Sequence, residues 1–215
     1  MVREVIMRMK YIFSIISILT LISASYAAVS IESTKLENLR QAVENGQGTL
    51  AEKEYLNAFP ATFEKFKKTF NGNEDNLDEL YSTHFEHLAL LENLYKKYPE
   101  KVLSIWMGVA TNGHWDADAI GILQHQLAEY GAANTRELAQ ALLSKPVNQR
   151  LSIIAFLADV ENHDVYEEYR LIMKNLKVLR YNELYSLFDA AKKTRIKKVI
   201  INKSLMRGAE KQPRP

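Results

Sequence analysis

The sequence predicts an all-α protein, and three observations carry that prediction. Glycine (8) and proline (5) are scarce over 215 residues, while Leu, Ala, Lys and Glu, which lose little on entering a helix, are frequent. Apolar positions recur at steps of three and four rather than two. The breaks between periodic stretches are short, roughly two to five residues, which turns consecutive helices into antiparallel hairpins. A hydrophobic content of 47% beside 25% charged residues is that of a folded chain, long enough to bury one core without staples.

The chain opens on a targeting pattern. Arg3, Arg8 and Lys10 precede the apolar run from Tyr11 to Ala24, followed by Ser25-Tyr26-Ala27. A basic start, a short apolar stretch and a small-x-small site define a signal peptide cut after Ala27. Met7 and Met9 are alternative starts. The run, about fourteen residues, is shorter than the roughly 20 that span a bilayer. The expected organisation is therefore a signal peptide over 1–27, a helical domain over 28–200 and a basic, flexible tail over 201–215. Such a chain is exported, periplasmic or secreted, and keeps no stable membrane anchor after cleavage.

The formal charge of +2 belongs largely to that leader, whose three cationic residues outweigh Glu4. The remainder is close to neutral, so no overall field draws the chain to nucleic acid. The absence of cysteine excludes disulfides and thiolate chemistry.

The elements follow in order. Ile31, Leu36, Leu39 and Val43 mark a first helix, which Asn45-Gly46-Gln47-Gly48 ends with two glycines free to take positive φ. A second helix, Leu50 to Phe59, stops at Pro60. Phe63, Phe66 and Phe70 form an aromatic stripe facing the core, which Phe59 can join. Asn71 to Asn76 is a polar turn whose order does not match a calcium loop. Leu77, Leu80, His84, His87, Leu91, Leu94 and Tyr98 lie on one face of a long helix from Leu77 to Tyr98. Pro99 opens the next, to Thr111, where proline costs least. Asn112-Gly113 breaks it, and Asp116 to Tyr130 follows, with Gly131 as its stop and Asn134 or Thr135 capping a short helix to Ser144. Pro146 opens a helix to about Asn162, whose nearly unbroken apolar run LSIIAFLADV is expected to lie centrally. Helices from Val165 to Leu176 and Tyr181 to Ile200 complete the set.

The segments ADAIGILQHQLAEYG and LSIIAFLADVENHDVYEEY resemble the helix pairs of HEAT-type repeats over about residues 116–200. The likeness implies a short curved solenoid. A strict residue-by-residue repeat and the typical proline and arginine marks are missing, and a plain antiparallel helical array explains the same pattern.

Chemistry-bearing residues concentrate in two places. His84 and His87, three apart on the apolar stripe, have the spacing of two ligands on one helix; the structural alternative is a pair of hydrogen-bonded core histidines. His114, Trp115, Asp116 and Asp118 follow the Asn112-Gly113 break. Two carboxylates beside a histidine can take a cation or work as acid and base, and equally they cap a helix and complement its dipole, with Trp115 stapled onto the next turn. His125 and Glu129 read as a charged solvent face. Asp159, Glu161, His163 and Asp164 read as a helix junction. Nine Lys or Arg against one Glu over residues 192–214 suit a solvated end or an anionic surface. No nucleophile elbow, phosphate loop or dinucleotide fingerprint occurs.

The expected function is a non-catalytic helical module that binds another protein through an exposed aromatic patch including Trp106 or Trp115; a protective, immunity-type role fits its size and compartment. This reading needs no cofactor. The alternative is a metal-binding protein or metal-dependent enzyme with a site between helices at His84, His87, Asp116 and Asp118.

Overall fold

The computed structural model describes residues 31–70, 80–116, 118–160 and 166–209, with side chains through Lys197. The expected signal peptide, the polar turn at 71–76, and Glu161, His163 and Asp164 lie outside the described residues. Among those described there is no strand, and no helix is long and apolar enough to cross a membrane. The chain divides into two compact units after Phe59.

The first unit holds helix α1 (31–44) and helix α2 (Gly48–Ala58). Gly46 (φ 74°) and Gly48 (φ 82°) take the positive φ that the turn between them requires. Leu36, Tyr55 and Leu56 are buried. On α1, Arg40 is held between Glu37 at 2.6 Å and Glu44 at 2.7 Å, one turn away on either side. The helix α2 ends as a residue before proline dictates: Phe59 is extended, with ψ 135°.

The second unit begins with α3 (Phe63–Phe70), whose three phenylalanines are all buried, as their spacing predicts. A 3₁₀ turn (Tyr81–Thr83) precedes α4 (His84–Tyr95). The long helix expected from Leu77 to Tyr98 is thus shorter. The cause is local: the ring Nδ1–H of His84 donates to the Tyr81 carbonyl, and the Thr83 N–H closes a tighter turn onto Leu80 O. Pro99 opens α5 (Pro99–Ala110) in its first turn.

Helix α6 (Ala119–Ala133) lies at the centre. It packs against α3, α4, α5, α7 (Thr135–Leu143), α8 (Val147–Leu157) and α9 (Glu167–Val178). Gly131 does not end it. This glycine sits inside the last turn, where an added Cβ would fall 2.6 Å from Leu138 Cδ2 and 3.0 Å from Ile172 Cδ1. Its role is close approach of α7 and α9, and Asn134 terminates the helix by donating to Tyr130 O. Thr135 likewise donates back to Gly131 O, so neither residue caps α7 through its side chain.

Within the apolar run of α8, Ile153, Ile154, Phe156 and Leu157 are buried, as expected of a central segment, while Leu151 at its start and Val147 one turn before it are exposed; the helix ends at Leu157, short of Asn162. Arg150 fastens its start: Nε and Nη2 reach the Leu142, Leu143 and Lys145 carbonyls, and Nη1 meets Glu183 at 2.9 Å. The last helix, α10 (Asn182–Ala209), runs past the end expected near Ile200. Residues 201–209 contain no proline, and the lone Gly208 weakens a helix without stopping it. Tyr169 Oη ties α9 to α10 by donating to Phe188 O at 2.7 Å.

Two helical glycines give opposite expectations. Alanine is the better helix former by about 1 kcal/mol. At Gly121 a Cβ meets Asp116 O at 3.4 Å, an ordinary contact, so Gly121→Ala leaves stability unchanged or raises it by up to about 1 kcal/mol. At Gly108 the Cβ runs into the carbonyl oxygen of Ala61, and overpacking of about 1–3 kcal/mol outweighs the propensity gain. Urea unfolding of the two variants should therefore shift the midpoint down for Gly108→Ala and not for Gly121→Ala.

Candidate functional site

The loop between α5 and α6 is built by close packing and then decorated with polar groups. Thr111 closes α5 by donating Oγ1 to Met107 O at 2.8 Å. Asn112 turns left-handed (φ 61°), and its N–H reaches Ser152 Oγ on α8 at 2.6 Å. Gly113 then passes where no side chain fits, because a Cβ would fall 2.9 Å from a Phe156 ring carbon and 3.1 Å from one of Phe63. The His114 ring rests on Phe63 at 4.6 Å between centroids. The Trp115 N–H donates to Asp159 Oδ2 at 2.8 Å.

Asp118 does not cap α6 through its side chain. It occupies the position before the helix, at φ 59° and ψ −124°. Its Oδ2 accepts instead from Tyr81 Oη at 3.1 Å. Asp116 Oδ2 lies 3.3 Å from Lys67 Nζ on α3. Each carboxylate thus reaches out to another element. Carboxylate proximity also acts on the phenol: the hydrogen bond and the negative charge of Asp118 raise the Tyr81 pKa, since a phenolate would face a like charge.

From Tyr81 a series of tilted ring contacts leads through His84 to Phe85. The His84 ring lies 5.4 Å from Tyr81 and 4.2 Å from Phe85. His84 is buried, and with Nδ1 donating its proton to Tyr81 O, its Nε2 is buried without a hydrogen-bond partner. Phe85 is 63% exposed and Trp115 is 41% exposed, although both are large apolar groups. Trp115 lies over the first turn of α6, with Nε1 beside Gly121.

The candidate residues therefore separate. His84, Trp115, Asp116 and Asp118 share the region around the start of α6. His87 is fully buried with its ring against Phe70 at 5.3 Å, in the core. Trp106 is also core, at 2% exposure, stacked on Tyr95 at 5.6 Å and near Tyr130 at 6.0 Å. It belongs to no exposed patch. Among the described residues neither His84 nor His87 belongs to a group of three potential metal ligands. With Asp116 beside Lys67 and Asp118 bonded to Tyr81, the four residues do not form a ligand set.

Tyr81, Phe85 and Lys67 complete the site and were not evident beforehand. Tyr81 and Phe85 flank His84 in sequence, but only the 3₁₀ turn aligns the three rings. Asp159, read from the sequence as part of a helix junction, holds the Trp115 amide with one oxygen. With the other it pairs with Arg195 of α10, whose Nε lies 2.8 Å away in an ion pair not aligned as a hydrogen bond.

The Tyr81–Asp118 contact has a direct readout. Asp118→Asn removes the charge that opposes phenolate formation, so the Tyr81 pKa should fall back toward the ordinary tyrosine value of about 10. Ring-carbon NMR of tyrosine across an alkaline titration follows it residue by residue. An unchanged Tyr81 pKa would remove Asp118 from the site. No protein-family model, curated protein or solved structure matches this chain, so any reading of the site rests on its own chemistry.

Proposed function

We propose that the chain is an exported, non-catalytic helical module that binds a protein partner through the surface formed by Tyr81, Phe85, Trp115 and Asp118. The observation that supports it most is the exposure of Phe85 and Trp115, the one four residues after Tyr81 and the other three before Asp118, two residues that hydrogen-bond to each other. Large aromatic side chains left in water beside a carboxylate form an anchor surface, and Trp and Tyr are the residues that dominate binding energy at such surfaces. The combination suits a partner that brings an arginine or lysine to Asp118 and lays its stem on the rings.

The HEAT-like reading belongs to the same proposal. Packing of α6 on α9 and of α8 on α10 is what stacked hairpins produce, while the contacts of α6 with α3, α4 and α5 are those of a bundle core. Export rests on the basic and apolar leader and its small-x-small site, and places the partner in the periplasm or outside the cell. A protective, immunity-type role follows if that partner is a toxin.

Site-specific photocrosslinking tests the reading. A photoreactive phenylalanine at position 85, in the full chain made in its own cells, should give one discrete protein adduct. The same group at Val178, which is 72% exposed on α9 and outside the patch, should not. Trp115→Ala and Asp118→Arg should each abolish the adduct from position 85. Adducts equal from both positions, or none from position 85, would contradict the proposal.

A further inference from the structure

A second constellation lies where α6 meets the start of α9. His125 and Glu129 are one turn apart on α6, with His125 Nε2 3.3 Å from Glu129 Oε1. Glu168 stands in the first turn of α9. One ligand atom from each of the three lies within 4.8 Å of the others, the group of this kind found among the described residues. His125 and Glu129 are exposed and Glu168 is half-buried. Tyr166, half-buried just before α9, sets its ring 6.2 Å from that of His125 and walls one side.

Each residue alone has an ordinary explanation. An i, i+4 His–Glu pair stabilises a helix, and Glu168 complements the dipole of α9. Neither explains why the two carboxylates converge on one imidazole. Two carboxylates brought together repel, and a divalent cation held between them would remove that repulsion.

The geometry points to a first-row divalent metal site, of the zinc class, formed by His125, Glu129 and Glu168 and clamping α6 to α9. One imidazole with two carboxylates is a borderline nitrogen–oxygen donor set, which suits Zn²⁺ better than the all-oxygen shells of Ca²⁺ or Mg²⁺. A tetrahedral Zn²⁺ with bonds of about 2.0–2.2 Å sets its donors about 3.3–3.6 Å apart. Exposed histidine and glutamate side chains make that closure by changing rotamer. Three protein ligands leave a coordination position for water.

The site is independent of the Tyr81–Asp118 surface, so the two stand or fall separately. The test is calorimetric titration of the full chain with Zn²⁺ alone, beside His125→Ala, Glu129→Gln and Glu168→Gln. The wild-type chain should take up one Zn²⁺, and each substitution should weaken binding at least tenfold. Because the three side chains are at the surface, circular dichroism should be unchanged in all variants. Thermal unfolding gives a second readout: Zn²⁺ should raise the wild-type Tm and leave that of Glu168→Gln unmoved, because Glu168 is the ligand from the second helix. Zn²⁺ bound equally well by Glu168→Gln, at a histidine elsewhere, would overturn the inference. So would a wild-type chain that takes up no Zn²⁺.

Discussion

The structure of the second unit depends on the burial of α6 on nearly every side. Ala119, Ile120, Leu123, Leu127, Ala128 and Tyr130 are buried along it, and so are two glutamines. Gln124 Nε2 donates to Phe156 O at 2.5 Å, at the end of α8, and Gln126 Nε2 to Leu88 O in α4 at 3.1 Å. A buried amide left without a partner costs about 1–3 kcal/mol. These two amides therefore bind specific backbone carbonyls of neighbouring helices and fix the rotation of α6 about its axis. Apolar burial alone would tolerate several rotations; the two glutamines select one.

That rotation decides what the loop before α6 can present. With α6 fixed, Asp118 meets the 3₁₀ turn before α4, Asp116 meets α3, and Trp115 lies over the first helical turn. The same rotation sends His125 and Glu129 outward toward the start of α9. One central helix thus sets two surfaces of different chemistry, an aromatic–carboxylate one at its beginning and a nitrogen–oxygen one farther along. Asp159 and Arg195 tie the first of these to α10, the element farthest along the chain.

Much of the helical order could be read from local signals. Phe63, Phe66 and Phe70 carry their phase in their spacing, Pro99 marks a helix start by its missing N–H, and Pro60 marks an end through the restriction on Phe59. What could not be read depends on long-range packing. The glutamines of α6 look like surface residues in sequence, so α8, with its longer aliphatic run, is the more obvious centre; yet Val147 and Leu151 face water. Gly131 has the residue type of a helix stop but serves close packing with Leu138 and Ile172. The candidate site was legible in half. Trp115, Asp116 and Asp118 stand out in composition, whereas Tyr81 joins them only through a 3₁₀ turn that helical periodicity does not predict. Trp106 and His87 belong to the core because their helical phases point inward. Glu168 carries no local signal at all, since nothing in the sequence pairs α9 with α6.

The most direct test of this account is native-state hydrogen exchange of the backbone amides. If α6 is the element on which the others are assembled, the amides of Leu123 to Ala128 exchange only through global unfolding and are at least as protected as any in α8 or α10. Exchange of that segment through a local opening, with α8 still protected, would show that α8 is the true centre and would contradict the account.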